Sequence, residues 1–164
     1  MRTPIGTAVY PHLSQPDTKF NEDGEYHTKL RIPMKDASEL LETLESLYET
    51  EYKKICKEKK KQKLKRFDFP WTEELDDEGN ETGNVLLKLK MKAKTKEGQN
   101  IRPLIVDSKR EPMAEMIGSG SQLKVAFNPW CWFVPMLGVG MTLRIQGVQV
   151  LDLVEYSSGR SGKD

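Results

Sequence analysis

A small, mainly β barrel with one long α-helix inserted between its strands is the fold class this sequence predicts. Three observations predict it. Apolar and charged residues alternate with period two through four separate segments, a single segment has helical spacing, and prolines and glycines punctuate the chain between them. At 164 residues the chain fits one domain, which buries about 70% of the surface its unfolded chain exposes. The expected division is a single domain over 1–156 and a flexible C-terminal tail over 157–164.

Taken in order, a first strand passes through Ile5, Thr7 and Val9. In the next, Tyr26, Thr28, Leu30 and Ile32 share one face and His27, Lys29 and Arg31 the other. The helix is expected to open at Asp36, with Glu39 three residues later as in a capping box. Leu40, Leu41, Leu44, Leu47, Tyr48, Tyr52 and Ile55 then form its apolar stripe. From Lys53 to Arg66 the chain reads KKICKEKKKQKLKR, with nine cations and one anion, and past Ile55 it reads as a solvated helix end. RFDFPW follows as an apolar clip in which Pro70 forbids helix, and DDEGNETGN reads as a mobile loop. In VLLKLKMKAK, Val85, Leu87, Leu89, Met91 and Ala93 point inward while Lys88, Lys90, Lys92 and Lys94 point out. A short LIV strand at 104–106 precedes one with Leu123, Val125 and Phe127 inward and Lys124 outward. The last has Leu143 and Ile145 inward and Arg144 outward, until Gly147 marks a bulge that switches faces. Five or six short strands and one helix are the inventory of an OB-fold five-stranded β-barrel with a helix inserted between strands.

The net charge is +1, an average that conceals segregation. Six acids in EELDDEGNE nearly offset the lysine-rich run, leaving basic strand faces to be judged by themselves. The segment FNPWCWFVPMLGVG concentrates aromatic residues between prolines. If the alternation continues past Phe127, Cys131 and Phe133 face inward, and Trp130 and Trp132 face outward on the side of Lys124. Pro129 and Pro135 cannot donate to a central ladder, so the segment should be an edge or a protruding hairpin. Aromatic rings among cations on a barrel face suit single-stranded nucleic acid, because every base has a face to stack and every linkage a phosphate to neutralise. The competing reading places both tryptophans in the core, anchoring the hairpin against the helix.

The motifs PIGTAVYPHLSQPD, GEYHTKLRIPMKD, VLLKLKMKAKTKEGQNIRPLIVDSKREPM, IGSGSQLKVAF and VQVLDLVEY, in that order over about residues 4 to 156, resemble the replication single-stranded DNA-binding protein of T-odd-type short-tailed phages. The resemblance implies an OB-fold, sequence-independent binding of single-stranded DNA, and roles in phage DNA replication, recombination, repair and strand annealing. It also implies a homodimer, contacts with the phage DNA polymerase and helicase, and the cytoplasm of the infected bacterial host. By position it brings forward Lys29, Arg31, Lys109, Lys124, Trp130, Trp132 and Arg144, to which the strand alternation adds Lys88, Lys90 and Lys92. The family's acidic tail ending in an aromatic residue has no counterpart in SSGRSGKD. That departure puts tail-mediated docking in doubt.

Other classes fit less well. No apolar run approaches the roughly 18 to 20 residues of a membrane span, and the N-terminus lacks the apolar stretch of a secretory signal, so no membrane role is expected. Cys56 and Cys131 are expected to stay reduced. No enzyme, cofactor or metal is expected: His12 and His27 are the only histidines, and the cysteine spacing is not that of a zinc site. GSGSQLK lacks the phosphate-loop pattern, and the acids of the loop would not be held rigidly enough for two-metal chemistry. Two other binding functions remain open: an OB-fold RNA-binding chaperone, since stacking barrels serve both nucleic acids, and a protein-interaction module using the tryptophan hairpin.

Overall fold

A computed structural model describes residues 1–19 and 21–155. The tail expected over 157–164 lies outside the described residues. The chain order is β1 (Gly6–Asp17), β2 (Glu25–Pro33), α1 (Met34–Glu58), β3 (Trp71–Leu75), β4 (Glu81–Lys92), β5 (Leu104–Val106), β6 (Gln122–Val134) and β7 (Gly138–Asp152). The sheet order is β3-β4-β2-β1-β6-β7-β5, and β4 also pairs with β7. That last pairing closes β4-β2-β1-β6-β7 into a five-stranded barrel, with β3 and β5 as flanking strands.

The alternation translates directly into burial. Leu30, Ile32, Val85, Leu87, Leu89, Leu123, Val125, Phe127 and Leu143 are each at most 1% exposed, and each buried branched or aromatic side chain contributes about 1.5 to 3 kcal/mol. In β1 the inward residues are Gly6, Ala8 and Leu13, so Thr7 and Val9 lie on the outer row. Gly6 lies so close to Leu30 and Ile32 of β2 that any Cβ there would overlap them. The bulge expected at Gly147 is present: Ala126 faces Gly147 and Phe127 faces Ile145, leaving Gln146 unmatched. After it, Val148 and Val150 point inward.

Three expectations are corrected. The helix opens at Met34, not Asp36, because β2 runs straight into it through Pro33, and its N-cap makes no side-chain hydrogen bond. Asp36 is instead an acid in the first turn, where the helix dipole favours it. The buried stripe is Ala37, Leu41, Leu44, Tyr48, Tyr52 and Cys56, flanked by partly buried Leu40, Leu47 and Ile55. The segment read as a mobile loop is the tip and ascending arm of a β3–β4 hairpin. Asp76 Oδ1 accepts from the backbone N–H groups of Glu78 and Asn80, both at 2.9 Å, and fixes the turn.

α1 packs on β2, β4, β6 and β7. Tyr48, 1% exposed, donates its hydroxyl to the Val139 carbonyl at 2.8 Å. After the helix, the lysine run leaves helical geometry at Lys60, with φ 57°, and Leu64 N–H donates to the Tyr52 hydroxyl. Arg66 then clamps Glu49 through two hydrogen bonds of 2.6 and 3.1 Å while lying 3.9 Å over the Tyr52 ring. The clip that follows is aromatic: Phe69 stacks on Trp71 at 4.6 Å and meets Tyr48 edge-on at 5.1 Å. Among the described residues no helix is long and apolar enough to cross a membrane, and Cys56 and Cys131 are free thiols.

Candidate nucleic-acid interface

Because opposed residues on neighbouring strands project their side chains to the same side, the strand registers assemble the outer surface. On β2 and β4, Lys29 faces Lys88, His27 faces Lys90, and Glu25 faces Lys92. Across the barrel closure Lys90 faces Arg144 of β7, and Arg144 faces Asn128 of β6. The row His27–Lys90–Arg144–Asn128 therefore crosses four strands, about 14 Å at the usual strand spacing. Trp130 is the next outward residue of β6 after Asn128. The Arg144 guanidinium lies 3.9 Å from the centre of its ring, a cation–π contact. Trp130 remains 44% exposed, a large indole surface presented beside Arg144.

The two tryptophans differ. Trp132 is half-buried, lies flat over Gly140, donates its indole N–H to Thr142 Oγ1 at 2.9 Å, and meets Phe67 at 5.4 Å. A Cβ at position 140 would overlap the ring, so the absence of a side chain there makes room for the indole. Both tryptophans are outside the barrel core. The hairpin turns Cys131 and Phe133 toward the core instead, and burial pushes the Cys131 thiol up to about 11. Beyond Phe127, β6 pairs with β7 alone among the described strands, so Pro129 sits on an edge where no ladder bond is demanded of it. The tip leaves Met136 85% exposed.

The remaining residues singled out from the sequence separate. Arg31 is on the outer row, but Glu74 of β3 holds it, with the carboxylate 2.8 Å from Nε and 2.7 Å from a terminal nitrogen. Glu74 also accepts from Thr82 and Asn84. The Arg31 hydrogen bond is the chief cause that holds the Glu74 carboxyl below its ordinary range. Lys124 faces Gln149, whose amide donates to the Ser108 carbonyl, so Lys109 and Lys124 share the other end of the β6–β7 hairpin. Lys124 and Trp130 are six positions apart, about 20 Å along a strand. Missing from the sequence reading were Glu74 as the partner of Arg31, Gly140 and Thr142 as the seat of Trp132, and a cluster of His12, Asp17 and His27. Only the last had a visible signal, two histidines on or near predicted strands, but the registry that joins them is a property of the folded sheet.

A closed barrel of this kind, with a basic wall and aromatic side chains, belongs to the oligonucleotide-binding barrels. The family model described as the single-stranded DNA-binding protein of bacteriophage T7 matches residues 5–153, and the chain belongs to that family. Solved structures agree on the fold. The crystal structure of gp2.5, a single-stranded DNA-binding protein encoded by bacteriophage T7, superposes with a TM-score of 0.79 at 24% identity, over 96% of this chain and 88% of that one. The single-stranded DNA-binding protein from bacteriophage Enc34 in complex with ssDNA gives 0.67 at 16% identity, over 94% and 86%. Its C-terminal truncation gives 0.65 at 15%, over 95% and 87%. No curated protein sequence matches the chain.

Proposed function

We propose that this chain binds single-stranded DNA without sequence preference along the β2–β4–β7–β6 wall, as a non-enzymatic protein of phage DNA replication, recombination, repair and strand annealing. Membership of a phage single-stranded DNA-binding family supports the ligand class. The observation that carries the placement is the exposed Trp130 under Arg144, next in line to Lys90. Its exposed indole surface takes a base by stacking, while Arg144, Lys90, Lys88 and Lys29 neutralise successive phosphates. Lys92 and the pair Lys109 and Lys124 extend the path toward its two ends, and Arg31 joins it when Glu74 lets go. No motif for reading a duplex groove accompanies these residues, which favours single strands over duplex. Residues 1–156 act as one DNA-binding domain in this reading. A homodimer, contacts with the phage DNA polymerase and helicase, and action in the cytoplasm of the infected host belong to the same proposal.

The deciding experiment is a fluorescence titration of the full chain with oligo-dT, oligo-rU and duplex DNA at two salt concentrations. Tight, salt-sensitive binding of oligo-dT with much weaker duplex binding is expected, with quenching of tryptophan emission. Equal affinity for duplex and single strands overturns the reading. Preference for oligo-rU moves it to an RNA chaperone, and no nucleic-acid binding moves it to a protein-interaction module.

A further inference from the structure

The chain has two histidines, and the fold puts them side by side. His12 of β1 faces His27 of β2 in register, with ring centroids 4.6 Å apart and planes inclined by 40°. Asp17, the last residue of β1, joins them: its Oδ2 lies 2.9 Å from His27 Nε2. One ligand atom from each of the three lies within 4.8 Å of the others.

The juxtaposition depends on irregular backbone. Between the pairs Val9↔Lys29 and His12↔His27, β1 advances three residues while β2 advances two; between His12↔His27 and Asp17↔Glu25 it advances five against two. A regular strand would carry Asp17 about 16 Å beyond His12. Instead the surplus residues of β1 buckle, with Tyr10 at φ 49° and Ser14 Oγ accepting from Ile117 N–H, and Asp17 returns to the side of His27. Leu13 fixes the buckle by burying its side chain to 1% exposure. His12 is exposed and the other two half-buried, so the cluster is open to solvent.

We infer that His12, Asp17 and His27 form a binding site for a divalent late first-row transition ion of the zinc type, with two imidazole nitrogens and one carboxylate oxygen as ligands. Donors bound at about 2.0 to 2.2 Å to one tetrahedral ion stand roughly 3.3 to 3.6 Å from each other, and side-chain rotations that move the donor atoms by about an ångström bring this set into that range. The donor types select zinc, cobalt, nickel or copper over magnesium or calcium, which take oxygen-rich shells. Glu25, in register with Asp17, adds negative charge nearby, although its carboxylate also approaches Lys90 Nζ at 4.0 Å. Lys29 and Lys90 oppose a second cation, so the Asp17 charge is essential to the site. Three protein ligands leave the remaining coordination positions to water, on the surface that also carries Lys90.

The test uses the full chain and metal alone, without DNA, so its outcome is independent of the nucleic-acid reading. Zn²⁺ is titrated calorimetrically, Co²⁺ is followed by its visible absorption, and histidine-selective NMR follows the two imidazoles. One equivalent of metal is expected to bind, to shift both histidine signals together and to be released by a chelator. His12→Gln, His27→Gln and Asp17→Asn should each weaken binding about tenfold or more with unchanged circular dichroism, whereas Cys131→Ser should leave it intact. His12 is exposed, so its variant keeps the test valid if His27→Gln misfolds. No saturable binding, or binding that survives His12→Gln and Asp17→Asn, overturns the site.

Discussion

Trp130 and Trp132 stand one residue apart, yet their substitutions are expected to have different effects. Trp130 is held by a guanidinium on an open wall, so Trp130→Ala should weaken oligo-dT binding by about 1 to 3 kcal/mol with the melting temperature unchanged. Trp132 lies on Gly140 and bonds Thr142, so Trp132→Ala should destabilise the hairpin by about 1 to 3 kcal/mol through lost burial. Denaturant unfolding beside fluorescence titration of each variant separates the two. Equal losses of affinity at equal stability would return both rings to one stacking platform. The Arg31–Glu74 pair gives a second residue-level prediction. Glu74→Gln releases Arg31 for phosphate, raising affinity a few-fold and steepening the salt slope by about 0.7. The same carboxylate is linked to acid stability. Its folded pKa is depressed, chiefly by Arg31, so the stability it contributes is complete above its unfolded value, about 4.3 for a glutamate. That stability is lost as pH falls through the lower folded value. Acid melting curves of Glu74→Gln should lack this loss; identical acid sensitivity of the two proteins would show the pair to be too solvent-screened to matter.

Elements differ in how far the sequence alone announces them. β2 and β4 were legible because alternation is a property of one strand: the residues read as inward, Leu30, Ile32, Val85, Leu87 and Leu89, are at most 1% exposed. The bulge at Gly147 was legible for the same reason, as a break in that period. β3 was not, because WTEEL is short, pairs only with β4, and puts Trp71 and Glu74 at its half-buried positions while Leu75 is exposed, so no apolar period of two marks it. Nor could the helix start be fixed from Asp36, since a chain that enters the helix directly from a strand has no separate cap. The site divides along the same line. Lys29, Lys88, Lys90 and Arg144 were legible as outward residues, but their common row, the capture of Arg31 and the histidine cluster follow from register between distant strands. At this scale the helix makes its own prediction. Tyr48 bonds the Val139 carbonyl across the seam between α1 and the β6–β7 hairpin. That carbonyl also accepts from Phe67 N–H at 2.8 Å, so it is not orphaned when the hydroxyl is removed. Tyr48→Phe should therefore cost about 1 kcal/mol, and a Phe127→Ala cavity at a fully buried site about 3 to 5 kcal/mol. Urea titration of the two variants ranks them; a larger loss for Tyr48→Phe would mean that the seam, not the barrel, limits stability.

At the scale of the whole molecule, a net charge of +1 understates how the cations are distributed. The helix end and the segment after it carry many lysines, but Lys59 lies over Phe133, which has the opposite facing on β6 to Trp130, and Arg66 is committed to Glu49. The β3–β4 hairpin carries the opposing acids, and Glu73 and Glu81 sit close enough that a hydrogen bond between them raises the Glu73 carboxyl above its ordinary value. Binding that depended on net charge would be nearly absent. Binding along the wall instead counts local neutralisation by Lys29, Lys88, Lys90 and Arg144. Four phosphates give a slope of log K against log salt near −0.7 times four, a loss of roughly fiftyfold between 50 and 200 mM. Neutralising Lys90 and Arg144 together should reduce that slope by about 1.4, while neutralising Lys59, Lys60 and Lys61 together, in the exposed run after the helix, should leave it nearly unchanged. Oligo-dT titrations of the two multiple variants across a salt series decide the matter. If the helix-end variant flattens the slope and the wall variant does not, DNA runs along the lysine-rich segment and Trp130 is not its platform.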